Sequence, residues 1–219
     1  SADVGQGYSG FVMAGNRAFT QGQTRAGQFV ICLDLPTGRE LWRTRYGWPW
    51  QNDGSWPGPY ASPTVDKAGR VFFAGCYGEV GCVRANDGAL LWSLNLAKDL
   101  GCEMPGFGYA CTPLVEEGKV YLPGTGAGRG VIALDAATGQ VIWQSGDETA
   151  SYSSCLPIHV DGRRQILTLH QNVAVARDPL TGAVLWRFPW SEGYDPHCTP
   201  PLYAEPYLFV DLRREAGYP

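Results

Sequence analysis

The chain has 219 residues, of which 44% are hydrophobic, 12% aromatic and 17% charged, and its formal net charge is -4. This composition excludes a disordered chain, which needs few apolar residues and a high net charge. The sequence has no basic run with which to bind nucleic acid or an anionic membrane by counterion release. It also has no apolar run near the roughly 20 residues of a transmembrane segment. We therefore expect a folded domain with no nucleic-acid partner and no transmembrane segment.

Glycine and proline occur along the whole chain, which contains 29 glycines and 16 prolines. The apolar runs between them last roughly four to eight residues, which is the length of strands rather than helices. The sequence therefore predicts an all-β fold.

One eleven-residue pattern occurs four times in chain order, as CLDLPTGRELW, CVRANDGALLW, ALDAATGQVIW and ARDPLTGAVLW. The copies end at Trp42, Trp92, Trp143 and Trp186, at intervals of 50, 51 and 43 residues. A period of this size is typical of propellers and other repeat folds. In each copy a strand, a turn closed by glycine and a second strand predict a β-hairpin, and the tryptophan is large enough to fill the gap between neighbouring sheets.

A second pair of strands is predicted upstream of each hairpin, in stretches that begin at Tyr8, Tyr60, Tyr109 and Tyr152. Each unit thus has four strands, which predicts a β-propeller of four-stranded antiparallel blades. The predicted blades are 8–45, 60–95, 109–145 and 152–189, followed by half a blade at 197–212. A ring left open would expose a sheet edge, so we expect further propeller blades or a protein partner to complete it. A β-sandwich with coincidental tryptophan spacing is the alternative.

The repeat A-x-D-x-x-T-G-x-x-x-W resembles that of the pyrroloquinoline-quinone-like (PQQ-like) propellers. These include quinoprotein alcohol dehydrogenases and an outer-membrane assembly lipoprotein. The matching acids are Asp34, Asp135 and Asp178, and the matching threonines are Thr37, Thr138 and Thr181. The second copy departs from the pattern with Arg84 and Asp87. The resemblance implies the fold and an extracytoplasmic (periplasmic or secreted) location.

In the dehydrogenases that the chain resembles, a quinone lies on the propeller axis beside calcium and near a disulfide between adjacent cysteines. This sequence has no adjacent cysteine pair. Its short polar turns also do not resemble a calcium site, which needs roughly six to eight oxygen ligands. We therefore expect no cofactor and keep PQQ with calcium as the alternative.

The long connections between the predicted blades carry aromatic residues that we expect on one side of the disc. These are Trp48, Trp50, Trp56, Phe107, Trp190 and Tyr194. Loops on a rigid frame often carry recognition sites, and aromatic residues are enriched in interfaces. We predict that this set forms the face for a ligand or protein partner of a non-catalytic scaffold. Rings that only plug the blade ends are the alternative for this set, and a fragment of a PQQ-dependent dehydrogenase is the alternative function.

A third hypothesis is a metal or redox site lined by cysteines. Cys111, Cys155 and Cys198 each lie two residues before a proline of an inner strand, where the second unit has Ala61. At one level of the channel, these thiols and His197 could bind a soft metal. The alternative, which we favour, is that the inner strand needs a small residue there. The spacing also allows disulfides between Cys76 and Cys82 and between Cys102 and Cys111.

Overall fold

The protein is represented by a computed structural model that describes residues 3–51, 56–149, 151–189 and 198–210. In these ranges the regular structure consists of strands and turns. No helix in this part of the chain has the length and hydrophobicity that a membrane crossing requires. The predicted all-β class is therefore confirmed.

Four antiparallel sheets of four strands follow one another along the chain, and each has its strands in sequence order. The first contains β1 (Val12–Ala14), β2 (Arg17–Thr24), β3 (Gly27–Asp34) and β4 (Glu40–Gly47). The second contains β5 (Thr64–Val65), β6 (Arg70–Ala74), β7 (Glu79–Arg84) and β8 (Leu90–Asn95). The third contains β9 (Leu114–Glu116), β10 (Lys119–Pro123), β11 (Val131–Asp135) and β12 (Val141–Ser145).

The fourth sheet contains β13 (Leu156–Val160), β14 (Arg163–Leu169), β15 (Val173–Arg177) and β16 (Val184–Pro189). A two-stranded fifth sheet contains β17 (Leu202–Ala204) and β18 (Tyr207–Phe209). Its residues Tyr203 and Leu208 pack against the buried face of the fourth sheet. The described residues thus form four complete blades and half of a fifth, as the repeats predict.

The hairpin turns use the aspartate and threonine of the repeat. Asp135 accepts hydrogen bonds from the backbone N–H of Thr138 (2.8 Å) and from its hydroxyl (2.9 Å). The bond from the Thr138 hydroxyl is the largest cause that holds the pKa of Asp135 below its usual value. Gly139 then donates its N–H to the Asp135 carbonyl at 2.8 Å. The side chain therefore satisfies amides that the turn leaves without a strand partner.

The second copy forms the same turn although its sequence differs. The N–H of Gly88 donates to the carbonyl of Arg84 at 2.8 Å, which is the bond that Gly139 makes in the third copy. The Arg84 guanidinium contacts the Asp87 carboxylate at 2.7 Å, and Asp87 accepts the N–H of Ala89. A different pair of side chains thus supports the same backbone.

The tryptophan that ends each of the first three hairpins binds the turn of the next blade. The indole N–H of Trp92 donates to the carbonyl of Ala136 at 3.1 Å. Its ring covers Gly139, where a Cβ would lie 2.6 Å from the ring. The same contacts join Trp42 to Ala85 and Gly88, and Trp143 to Pro179 and Gly182. The glycine of the repeat therefore serves both the turn and the joint between blades.

The tryptophan of the fourth hairpin and the glycine turn of the first hairpin do not take part in such a joint. Trp186 donates its N–H at 2.7 Å to the side chain of Gln165, which lies in its own sheet. Among the described residues, no atom lies within 4 Å of the position that a Cβ on Gly38 would occupy. The turn at Gly38 thus has the open space that an indole ring fills at the other three turns.

The segments that lead into the sheets are joined by hydrogen bonds of one kind. The backbone N–H of Gly10 donates to the Ser62 hydroxyl at 2.8 Å. In the same way, the N–H of Ser62 donates to the Thr112 hydroxyl at 3.1 Å, and the N–H of Thr112 donates to the Ser154 hydroxyl at 2.9 Å. The first strands β1, β5 and β9 also contact one another in order. These contacts place the inner edges of successive sheets side by side, which is the arrangement of a propeller and not of two stacked layers.

We expect Gly139→Ala to destabilise the protein by about 2 to 4 kcal/mol, because the new methyl group meets the Trp92 ring and the residue keeps a positive φ of 74°. Urea unfolding followed by circular dichroism measures this effect. Gly38→Ala is the matched control, since its φ is 67° and its surroundings are open. It should cost about 1 kcal/mol. Equal losses in the two variants would show that the tryptophan joint does not restrict this position.

Candidate functional site

The candidate site is a cavity of about 480 Å³ at the inner ends of the blades, which we call the axial cavity. Its lining comes from five successive lead segments and from the loops before them. The lining residues are Tyr8, Trp56, Tyr60, Phe107, Ala110, Tyr152 and Cys198. Five of these seven residues are aromatic, so the surface that a ligand would meet consists mainly of ring atoms.

Three rings form the first wall of the axial cavity. The centroid of Tyr8 lies 6.1 Å from that of Trp56 and 6.0 Å from that of Tyr60. The Tyr60 hydroxyl donates to the Trp56 carbonyl at 2.7 Å and accepts the indole N–H of Trp50 at 3.0 Å. Trp50 is buried behind this wall. Its hydrogen bond therefore fixes the orientation of Tyr60 without adding a ring to the cavity.

The second wall contains Phe107 and Tyr152. Their ring centroids are 5.9 Å apart with nearly perpendicular planes, and the Phe107 N–H donates to the Tyr152 hydroxyl at 3.1 Å. Among the described residues, no ring of this wall is in stacking contact with a ring of the first wall. The two walls thus line one cavity and leave a space between them.

The described lining carries no carboxylate, ammonium, guanidinium or imidazole group. Cys198 contributes an exposed thiol, and the neighbouring Cys111 is buried. Burial, together with the charge that Cys198 can carry, raises the pKa of Cys111 to about 12. The Cys111 thiol is therefore protonated at neutral pH and does not add charge to the cavity.

The structure divides the predicted aromatic set. Trp56 and Phe107 line the axial cavity with exposed fractions of 56% and 49%, whereas Trp50 supports it from behind. Trp48 does not line it: this residue is 72% exposed and its ring lies under the Arg45 guanidinium at 4.7 Å. Trp190 and Tyr194 lie outside the described residues.

The sequence interpretation missed three rings of the cavity, Tyr8, Tyr60 and Tyr152. The available signal was the tyrosine at the start of each inner-strand stretch, which recurs with the blades. Tyr109 begins the remaining stretch but is buried, with its hydroxyl donating to the Glu103 carbonyl at 2.9 Å. The recurrence therefore indicates the segment that lines the axis but not which ring faces the cavity.

The predicted common level of Cys111, Cys155 and Cys198 is wrong for the fourth blade. Thr112 pairs with Ser154, and the Cys111 sulfur lies 3.4 Å from the Ser153 carbonyl. Ser153 therefore occupies the level at which alignment on the prolines places Cys155. Cys155 instead packs in the core between the third and fourth sheets, beside Tyr121 and Trp143.

His197 lies outside the described residues. Within the described ranges, no group of three or more histidine, cysteine or acidic side chains is arranged to bind a metal ion. The two disulfides that the spacing allows are not formed: Cys76, Cys82, Cys102 and Cys111 are all free thiols.

A cluster of charged residues joins the fourth sheet to the connection that precedes it. Arg177 is fully buried and contacts the Glu148 carboxylate at 2.5 Å, and Arg187 contacts the same carboxylate at 2.6 Å. Arg177 also donates to the Thr168 hydroxyl at 3.2 Å, which lies 2.9 Å from the His170 ring. The ionised groups of the cluster thus pair with one another, which favours a structural role.

Two pKa values in this cluster are shifted. Burial is the largest single influence on the pKa of Glu148 and raises it, but the attraction of Arg177, a backbone hydrogen bond and weaker nearby charges together outweigh it, so the pKa is lowered. Burial and the charge of Arg177 lower the pKa of His170 to about 4. His170 is therefore neutral at physiological pH. The complete burial of His170 fits a structural role in this cluster.

A family model described as outer membrane protein assembly factor BamB matches residues 11–194. The chain belongs to this family. Quinoprotein ethanol dehydrogenase from Pseudomonas putida is 29% identical over 153 residues, which are 61% of this chain and 23% of the relative. The BamB family of propellers and the quinoproteins are thus both similar to this chain, as the repeat predicts.

Two solved structures show the same fold. BamB from Moraxella catarrhalis aligns with a TM-score of 0.61 and 17% identity over 91% of this chain and 53% of that chain. Quinohemoprotein alcohol dehydrogenase from Comamonas testosteroni aligns with a TM-score of 0.64 and 18% identity over 92% of this chain and 38% of that chain. The chain therefore spans only part of these relatives.

The described lining of the axial cavity does not fit PQQ with calcium. Its rings could stack on a quinone, but the described lining has no cationic side chain for the carboxylates of PQQ. It also has no carboxylate for calcium. Glu148 borders a second cavity, of about 430 Å³, but its carboxylate is already bound by two arginines.

We expect the stability of the protein to decrease as the pH falls from about 6.5 to about 4 because of His170. The folded-state pKa of about 4 lies below the usual value of 6.5, so the unfolded chain takes up the proton first. Between pH 7 and pH 4.5 this amounts to about 2 kcal/mol. Urea unfolding of the wild-type protein and His170→Gln at both pH values measures it. The variant should lose less stability on acidification, and equal losses would contradict the assignment.

Proposed function

We propose that this chain is a non-catalytic binding module, in which the propeller is the rigid frame and the axial cavity is the binding site. The observation that carries the proposal is the convergence of five aromatic rings from four segments around one cavity. Hydrogen bonds among Trp50, Trp56 and Tyr60 hold the first wall in place, which supports a preformed site. An extracytoplasmic location is part of the proposal, because the family description names the outer membrane.

The proposal includes association with a further blade, from this protein or from another chain. The space beside Gly38 is open, whereas an indole ring occupies the corresponding position at Gly88, Gly139 and Gly182. On the opposite side, the half-blade exposes Leu202, Tyr207 and Phe209. Exposed apolar surfaces of this kind are typical of interfaces. A partner with the same repeat could cover both surfaces.

Part of a quinone-dependent oxidoreductase is the second candidate. The identity of 29% to the quinoprotein ethanol dehydrogenase favours it. The described lining residues of the axial cavity argue against it, because they offer a buried polycarboxylate no cationic partner. The two candidates thus make opposite predictions about retention of PQQ.

We expect the purified protein to retain no PQQ after incubation with PQQ and calcium chloride followed by desalting. An absorbance spectrum of the protein fraction measures retention, and reduction of an artificial electron acceptor on addition of ethanol measures activity. The Pseudomonas putida quinoprotein ethanol dehydrogenase, treated in the same way, is the positive control. A retained chromophore together with ethanol-dependent reduction would overturn the proposal and establish the oxidoreductase.

A further inference from the structure

We infer that the axial cavity binds an uncharged, planar aromatic small molecule between its two walls of rings. The inference rests on the proposed function and specifies the chemical class of ligand. It makes Trp56 of the first wall and Phe107 of the second wall the principal contacts.

The size and openness of the cavity fit such a ligand. Its volume of about 480 Å³ lies within the range of roughly 300 to 1,000 Å³ that is usual for small-molecule sites. Trp56 and Phe107 are about half exposed although they lie in the cavity. Their ring faces are thus accessible from solvent and would be covered when a ligand enters.

The polar atoms of the walls are largely engaged within the protein. The Tyr60 hydroxyl donates to the Trp56 carbonyl and accepts the Trp50 indole N–H. The Tyr152 hydroxyl accepts the N–H of Phe107. A ligand therefore meets mainly ring faces and edges, which favour offset-stacked or edge-to-face contact with another aromatic ring.

The described lining residues favour an uncharged ligand over a charged one. A charged group that leaves water for this site would lose hydration without gaining a charged partner among the described lining residues. The cost is greatest for a polyanion such as PQQ. An uncharged aromatic molecule loses little hydration and gains stacking contacts with both walls.

The site can be tested with N-phenyl-1-naphthylamine, an uncharged aromatic probe whose fluorescence increases in apolar surroundings. We expect saturable binding to the wild-type protein and about a tenfold loss of affinity in Trp56→Ala and in Phe107→Ala. Trp48→Ala is the matched control, because Trp48 is also an exposed tryptophan but lies outside the cavity. Its affinity should equal that of the wild-type protein.

The charge requirement can be tested by competition between two molecules that differ in one substituent. We expect 1-naphthol, which is uncharged at pH 7, to displace the probe at least about tenfold more effectively than the 1-naphthoate anion. Thermal unfolding monitored by circular dichroism verifies that each variant is folded. All three substituted side chains are largely exposed, so the variants should unfold near the wild-type temperature.

Two results would overturn the inference. Equal probe affinity in the wild-type protein, Trp56→Ala and Phe107→Ala would place binding elsewhere, and equal displacement by both naphthalenes would remove the charge requirement. Absence of saturable binding would also overturn it and would leave the rings to a protein partner. Retention of PQQ with ethanol oxidation is a separate result, which overturns the proposed function itself.

Discussion

The contact between an indole ring and the glycine turn of the next blade is the constraint on which the structure depends. It combines a buried ring, a hydrogen bond of about 3.1 Å and a glycine that cannot accept a Cβ. Because Trp42, Trp92 and Trp143 make the same contact, successive sheets have the same relation to one another. A regular relation between sheets is what brings their first strands together at one axis.

The axial cavity is a product of this regularity. Its rings come from segments that are far apart in sequence, and each segment is held by the hydroxyl hydrogen bonds that run from Gly10 to Ser154. A change in one joint would therefore displace one wall relative to the other. Among the described lining residues, no charged group could compensate for such a shift, so the shape of the cavity depends on the frame.

The blades could be predicted from the sequence because the tryptophan, the turn and the glycine belong to one local pattern, and even the divergent turn at Arg84 keeps its glycine. The position of Cys155 relative to the other inner strands could not be predicted. Alignment on the prolines pairs Thr112 with Leu156, whereas in the structure Thr112 bonds to Ser154. Trp48 and Trp56 belong to the same aperiodic connection between blades, and nothing in their spacing indicates that only Trp56 lines the cavity. Arg177 occupies an ordinary strand position, and its partner Glu148 follows no repeat.

The hydrogen bonds between lead segments run in one direction around the axis, since Ser62 and Thr112 each donate a backbone N–H to the next segment and accept one from the previous segment through the hydroxyl. Each of these bonds joins only two adjacent lead segments and does not depend on the segments further along the chain. A unit inserted between two others needs only its own donor and hydroxyl to restore both connections. A duplicated unit can therefore join the hydrogen bonds at the axis without any change in its neighbours. The number of units in the ring then depends on the angle between adjacent sheets, which the side chains packed between them determine.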